Sequence, residues 1–380
     1  MKVISIKKDE CCGCGACENI CPRKCIIMKQ DDEGFFYPEV DESVCVQCNM
    51  CVNVCPFKNV SKTSQPKECY AAIYEDEKIR MMSSSGAIFS LFGQYVISQR
   101  GDVFGSAFSD DFKRVEIIGV DNYKDLERLY GSKYVQSQVS FSYQHVKESL
   151  IDNKIVLFSG TPCQVSGLRR YLKRDYENLY CIDIICHGVP SPMLWEKYAS
   201  SIEEKYDGKI SFINFRCKDK SWSQFGMKAK VGDMIVFEPR ENNSYLYMFL
   251  RNYCLRPTCY QCKMKGHSEA DITIGDFWGI NNIYPDMNDD RGISSIMVRN
   301  EKGKRLVELV KPHMTFRECT YEDIVRNNSA ELYSVKWPKK RNTFFLDINN
   351  LEFSRFESKY MNEGIKKKVA RMGKKMIGKY

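Results

Sequence analysis

The sequence has no apolar run long enough to cross a membrane. Its most apolar stretch, Ala87 to Ile97, is broken by Ser90, Gly93 and Gln94. The first ten residues pass from alternating Val and Ile to charge, without the apolar core of a secretory signal. No GxGxxG run follows a first strand, so a nicotinamide-type Rossmann site is not supported; no Walker A motif and no lipidation motif is present. Histidine is scarce, at four residues: His145, His187, His267 and His313. Disorder over the whole chain is excluded by 43% hydrophobic against 28% charged residues. At 380 residues, two or three domains are expected. The sequence thus predicts a cytoplasmic protein, with one qualification at its C-terminal end.

That qualification concerns charge. The formal net charge is +8, and Met361 to Tyr380 supplies six lysines and one arginine against one glutamate, or +6. Ile365, Val369, Met372 and Met376 share a helical face there, which suggests weak peripheral contact with the inner membrane face. Outside this segment no basic run interleaves with aromatics, so no nucleic-acid partner is expected.

What the chain has in excess is cysteine: nineteen residues, ten of them between Cys11 and Cys55. Reduced cytosolic thiols argue for metal ligands over disulfides. Eight of the ten form two copies of one run, Cys11-x2-Cys14-x2-Cys17-x3-Cys21-Pro22 and Cys45-x2-Cys48-x2-Cys51-x3-Cys55-Pro56. This is the ligand run of a two-cluster bacterial ferredoxin. Three closely spaced cysteines wrap one 4Fe-4S cluster, and the fourth reaches the other. The first cluster takes Cys11, Cys14, Cys17 and Cys55; the second takes Cys45, Cys48, Cys51 and Cys21. Two zinc knobs would not need the Cys-Pro tail. Cys12 and Cys25 are left over, and Cys12 reads as a bystander. Gly34 to Pro38 reads as a hairpin strand between the halves.

Phe57 to Glu68 is polar, carries a proline and has no periodicity, so it reads as a linker. Beyond it, strands are predicted at Cys69–Tyr74, Val103–Phe108, Val115–Val120, Lys154–Phe158, Leu179–Ile185, Ile272–Ile274 and Ser295–Val298. Helices are predicted from Ser83–Gly86 to about Gln99, from Pro162 to about Lys173, and from Ser191 to Tyr206. The alternation predicts an α/β (α+β) part with a largely parallel sheet behind a small ferredoxin-like domain. Cys163 and Cys186 fall at strand ends, where open α/β sheets bind ligands.

Four thiols from three loops, Cys163, Cys186, Cys259 and Cys262, could hold a third cluster. The rival is local: Cys254, Cys259, Cys262 and His267 have the spacing of a zinc site. A lone Cys259-x2-Cys262 could also be a redox dithiol. Spacing leaves these open.

Gly160-Thr-Pro-Cys-Gln164, Cys186-His-Gly-Val-Pro190, Arg256-Pro-Thr-Cys-Tyr-Gln-Cys262 and Ala270-Asp-Ile-Thr-Ile-Gly-Asp-Phe-Trp-Gly279 resemble the coenzyme F420 hydrogenase/dehydrogenase beta-subunit family. Ser83-Ser-Ser-Gly86 and Gly131-Ser-Lys-Tyr134 resemble that family's N-terminal half. The resemblance covers about residues 69–335. It implies a third 4Fe-4S cluster on Cys163, Cys186, Cys259 and Cys262, and it implies FAD. The implied flavin contacts are Ser84, Ser85, Gly86, Ser132, Lys133, Tyr134, Thr273, Gly275 and Asp276. From the residues themselves, the serines read as a helix cap near a pyrophosphate, and Lys133 as a cation for reduced flavin. Relatives commonly carry Ser-Gly-Gly where this chain has Ser85-Gly86-Ala87, and an arginine where it has His267-Ser268-Glu269.

The domain reading is therefore 1–60, ferredoxin-type; 69–150, FAD-binding; 151–335, third cluster; and 336–380, basic tail. The function read from this is an oxidoreductase passing electrons between the clusters and a small organic substrate through FAD, in the reductive direction, with reduced ferredoxin or another redox protein as partner. The alternative is a non-catalytic electron-transfer subunit of a larger hydrogenase or dehydrogenase complex. His187 and Asp276 are the candidate catalytic groups.

Overall fold

The structure, a computed structural model, describes residues 7–60 and 65–361. Each cysteine run closes on a short helix, Ala16–Ile20 or Met50–Asn53. The two runs share a backbone form. Gly13 and Gly15 have φ of +70° and +69°, and their counterparts Gln47 and Asn49 have +52° and +59°. The left-handed turn alone does not demand glycine, since exposed Gln and Asn also adopt it. Glycine at 13 is demanded by packing: a Cβ there would lie 2.6 Å from Gln136 Nε2 and 2.8 Å from Arg256 Nη1.

Between the runs lies a hairpin of β1 (Ile26–Gln30) and β2 (Phe36–Val40). The reading of Gly34–Pro38 located only its second strand. Asp31 builds the turn by accepting from the backbone N–H groups of Glu33 and Phe35.

The larger part has β3 (Glu68–Tyr74), β4 (Asp102–Phe108), β5 (Val115–Val120), β6 (Val156–Gly160), β7 (Leu179–Ile184), β8 (Ile210–Cys217), β9 (Gly226–Val231), β10 (Met234–Pro239), β11 (Ile272–Asp276), β12 (Ser294–Val298) and β13 (Met314–Cys319). Eight of these strands form one sheet in the order β13-β3-β12-β11-β7-β6-β4-β5. Its centre, β11-β7-β6-β4, is parallel, and both flanks are antiparallel. The α/β reading holds, with the parallel strands at the centre.

The helices Ile88–Ser98 and Glu301–Val310 cover one face through Leu91, Phe92, Leu306 and Val310. Ser142–Ile151 and Pro162–Leu172 cover the other, where Tyr143, Val165 and Leu168 pack in one core with Cys14, Cys17 and Val54. The ferredoxin-type segment therefore sits on this second face. Gly167 makes the fit: a Cβ there would lie 3.1 Å from Cys14 Sγ.

β8, β9 and β10 form a separate antiparallel sheet that the sequence reading missed. A signal was available. Gly232-Asp233 is a two-residue turn pairing Val231 with Met234, a standard hairpin connection.

Two boundaries shift. Phe57, read as the start of a linker, is 3% exposed and packs beside Val54 and Cys55; residues 61–64 lie outside the described residues. Residues 341–361 are not tail. The helix Arg341–Asn350 and the helical residues 353–361 bury Phe344, Phe345, Phe356 and Tyr360 in an aromatic core. The basic residues beyond 361 lie outside the described residues. No helix among those described is long and apolar enough to cross a membrane.

The seam between the two parts is polar and specific. Arg341 pairs with Glu33 at 2.6 Å, and its side chain is 2% exposed. Ser191 donates to the Glu33 carbonyl and also caps the helix Pro192–Lys205 by accepting from Leu194 N–H. Ser191→Ala is expected to cost about 1 kcal/mol, read as a lower denaturation midpoint at unchanged iron content.

Candidate functional site

Three groups of thiols emerge. Cys21, Cys45, Cys48 and Cys51 line one cavity, so the fourth cysteine of the first run does join three of the second. Cys25 lines it too, with its sulfur 3.4 Å from that of Cys21. Cys48 is exposed, so this cavity lies at the surface. Cys11, Cys14, Cys17 and Cys55 form the second group. Burial, then the neighbouring Cys14, Cys11 and Cys55, push the Cys17 thiol well above its usual range. That mutual influence places the four together.

The third group lies at the carboxyl ends of β6 and β7. The turn after β6 starts a helix at Pro162, where Gln164 Oε1 accepts from Thr161 N–H at 2.9 Å, and this presents Cys163. Cys186 follows β7, and the 3₁₀ turn Pro257–Gln261 brings Cys259 and Cys262. All four line one cavity. Four thiols around one void suit a 4Fe-4S cluster.

The zinc set is not brought together whole: His267 lines this cavity with Cys259 and Cys262, but Cys254 does not. Cys254 is fully buried in the aromatic core with Tyr245 and Phe344, and burial pushes its thiol up to about 12. Among the described residues, no three Cys, His, Asp or Glu side chains converge on a point that could hold a single ion.

Cys12 is not a bystander. It lines the third cavity together with Cys163. It brings the Cys163 thiol down to about 7, against the opposing effect of burial. This buried residue thus lies in the loop between Cys11 and Cys14 and on the wall of the third group's cavity. Nothing in the local spacing marks Cys12 for this place; only the docking of the two parts creates it.

Other polar groups line the same cavity. His187 shares a 2.6 Å hydrogen bond between Nε2 and Asn252 Oδ1, and burial holds its imidazole below the usual value. An amide oxygen only accepts, so Nε2 carries a proton. Asp183 is fully buried at the cavity wall. Ser268 donates to one carboxylate oxygen at 2.7 Å, and burial raises its carboxyl to about 7. Sequence reasoning missed Asp183, because an acid inside an apolar strand looks like an edge residue.

The flavin candidates converge only in part. Ser84 Oγ accepts from Ser132 N–H at 2.7 Å and donates to Ser132 Oγ at 3.0 Å, so the first two motifs meet. Ser85 Oγ donates to the Ile293 carbonyl at 2.6 Å. Tyr134 OH accepts from Arg216, which also pairs with Asp276 at 2.8 Å. Asp276 is pinned by that pair and by Trp222 Nε1 at 3.2 Å, so it anchors other side chains and is not a free acid. The serines do not cap the helix Ile88–Ser98; Ala87 stands there, at φ +64°. Gly86 is explained by packing, since a Cβ would lie 2.7 Å from Ser294 N. Lys133 turns to the carbonyls of Arg128 and Tyr130. Thr273 lies apart: its hydroxyl accepts from Arg299 and donates to Ser268, beside Asp183. A Cβ at Gly275 would lie 2.7 Å from Ile185 Cδ1, so that glycine also serves packing.

Lys218, unread in the sequence, completes the set. It is buried and donates to the carbonyls of Arg80 and Ser85 at 2.6 and 2.9 Å, with no ion pair among the described residues. Burial, then Arg80 and Arg216, lower its ammonium to about 7. Trp222 and Trp278 stack at 4.6 Å between ring centres, with the Arg216 guanidinium over Trp278. Hydroxyls, an unpaired lysine and flat aromatic rings suit the phosphates and ring system of a dinucleotide.

Comparison with known proteins agrees with the motifs. Residues 153–323 match the family described as the C terminus of the coenzyme F420 hydrogenase/dehydrogenase beta subunit. Residues 10–59 match the 4Fe-4S dicluster domain. The coenzyme F420-dependent sulfite reductase of Methanocaldococcus jannaschii is 23% identical over 309 residues, covering 79% of this chain and 46% of that protein. The chain therefore spans about half the length of that relative. A chain from the F420-reducing [NiFe] hydrogenase complex of Methanosarcina barkeri superposes with a TM-score of 0.47 at 15% identity, over 71% of this chain and 88% of that one. Residues 153–323 are therefore similar to the C-terminal part of the coenzyme F420 hydrogenase/dehydrogenase beta-subunit family, and a 4Fe-4S dicluster domain precedes them in the chain.

Proposed function

We propose that the protein carries electrons from a redox partner, such as reduced ferredoxin, to a small organic substrate, using three 4Fe-4S clusters and FAD. When bound, the clusters supply single-electron transfer, and a flavin exchanges single electrons for pairs. The observation that carries this reading is the cavity lined by Cys163, Cys186, Cys259 and Cys262, with Cys12 of the first cysteine run on its wall.

In this reading the exposed group of Cys21, Cys45, Cys48 and Cys51 faces the redox partner. Cys11, Cys14, Cys17 and Cys55 hold the next cluster at the seam, and the third group lies beyond Cys12. Ser84, Ser132 and Lys218 bind the phosphates of the dinucleotide, while Arg216 and Asp276 fix Tyr134 and Trp222 against its ring. His187, next to Cys186, and Asp183 are candidate proton-bearing side chains on this route. A deazaflavin is the substrate class that the relatives' names suggest.

A second reading has one observation behind it. The match covers 46% of the curated relative, so that protein has further chain outside the matched part. This protein would then be the electron-transfer subunit of a complex.

The test is anaerobic analysis of iron, sulfide, zinc and flavin. About twelve irons, about twelve sulfides and one FAD per chain are expected. About eight irons with one zinc would remove the third cluster from the reading. No flavin in protein made with FAD present would remove the flavin. Turnover of an added deazaflavin by the isolated, reduced chain separates the enzyme from the subunit.

A further inference from the structure

Arg256 is 0% exposed, and an arginine cannot shed its charge. Among the described residues it has no carboxylate. Its Nε donates to the Cys11 carbonyl at 2.6 Å, Nη1 to Gln136 Oε1 at 3.0 Å and Nη2 to the Phe36 carbonyl at 2.9 Å. These three partners satisfy the guanidinium's hydrogen-bonding geometry but carry no negative charge. A buried cation without a counter-ion costs several kcal/mol. A fold that keeps one implies an anion close by.

The groups that act most strongly on Arg256 are Cys11, Tyr37, Cys12 and Cys259. Tyr37 stacks under the guanidinium at 4.2 Å, and burial pushes its phenol further from ionising. Cys12 lies outside both ligand sets. Neither therefore supplies a ligand thiolate. Cys11 and Cys259 remain, one from each neighbouring group of thiols. As cluster ligands they are thiolates, and a cluster bound by four thiolates is anionic.

Position supports the same conclusion. Arg256 Nη1 abuts the Gly13 backbone, inside the Cys11-x2-Cys14 loop. Thr258 donates to the Cys11 carbonyl at 2.9 Å, and Gln136 Nε2 to that of Cys12 at 3.2 Å. The guanidinium is thus built into the wall of the group formed by Cys11, Cys14, Cys17 and Cys55.

We propose that Arg256 is the built-in counter-charge of the cluster on Cys11, Cys14, Cys17 and Cys55, and that it raises that cluster's reduction potential. Reduction adds a negative charge, and a fixed cation in a low-dielectric wall favours the reduced state. Arg256 is a positioning residue, acting through charge and through the loop it holds. The inference rests on the cluster assignment above.

The test is an EPR-monitored potentiometric titration of the anaerobic full-length protein, with the signal assigned by its loss in Cys14→Ser. Two variants are compared. Arg256→Gln removes the charge. Gln136→Glu, isosteric at a residue already bonded to Nη1, gives the guanidinium a carboxylate and keeps the bond from Nη1, losing the one from Nε2 to the Cys12 carbonyl. Both are expected to lower the reduced fraction at a fixed potential by about tenfold, equal to about 59 mV for a one-electron couple. Arg256→Lys is expected to stay near the unsubstituted value. If Arg256→Gln does not assemble, Gln136→Glu decides. An unmoved potential in Gln136→Glu with full iron content overturns the proposal, and selective loss of this one cluster from both variants supports it. If the unsubstituted protein lacks the cluster, the assignment itself fails, and iron analysis before titration detects that separately.

Discussion

Cys259→Ala protein prepared without oxygen is expected to contain about eight irons where the unsubstituted chain contains about twelve. Delivery of electrons to an added acceptor should fall to background. The loss is confined because Cys259 contributes to one cavity only, and the eight N-terminal ligands lie on other loops. Its removal takes one weak partner from the backbone, the 3.5 Å contact from Val189 N–H. The EPR signals of the two N-terminal clusters should persist, so the variant would charge and fail to discharge. Cys254→Ala is the matching control. Cys254 belongs to the aromatic core around Tyr245 and Phe344, so its removal should lower stability and leave all twelve irons. A Cys259→Ala protein that keeps twelve irons, or a Cys254→Ala protein that loses four, would sink the assignment.

The contrast between these two cysteines shows what a linear reading can reach. The eight N-terminal ligands were legible because their chemistry is local: spacing sets which sulfurs can surround a cluster, and the run repeats. The parallel centre of the sheet was legible for a similar reason, since buried strands leave short apolar runs. Cys163, Cys186, Cys259 and Cys262 were legible only through family motifs, because spacing alone left Cys254 and His267 as equal rivals.

What stayed hidden depends on contacts between distant segments. Cys12 and Arg256 matter because two domains dock face to face, and their local sequence gives no sign of it. Ser83–Gly86 has the look of a helix cap, yet packing against β12 takes that glycine for another purpose. Thr273 and Asp276 are three residues apart on one strand end, yet one joins the Asp183 network and the other pairs with Arg216. Lys218 and Trp222 lie in and just beyond the β8 hairpin region, which the reading did not resolve into strands.

Asp271→Ala is expected to cost about 3–5 kcal/mol, the range for breaking a buried charge pair from one side. Asp271 is 0% exposed and accepts four hydrogen bonds. Arg169 Nη2 reaches both carboxylate oxygens at 2.8 Å, Asn300 Nδ2 reaches one at 2.8 Å, and the Cys181 N–H of β7 reaches the other at 2.7 Å. Asn300 caps the helix Glu301–Val310, and Arg169 belongs to the helix Pro162–Leu172. One carboxylate therefore ties a helix on each face to the central sheet. Truncation leaves Arg169 with only exposed Asp175, and leaves the Cys181 N–H buried without an acceptor. At about 2–4 °C per kcal/mol for domains of 150–250 residues, the unfolding temperature should drop by about 10 °C. Asp271→Asn should fall between, because an amide oxygen still accepts but carries no charge. Asp271 sits at the start of β11, opposite the strand ends that carry Cys163 and Cys186. Iron content in the cold should thus stay at the unsubstituted level. A Tm within about 2 °C of the parent, or iron lost in the cold, would mean the carboxylate does not hold the sheet and helices together in this way.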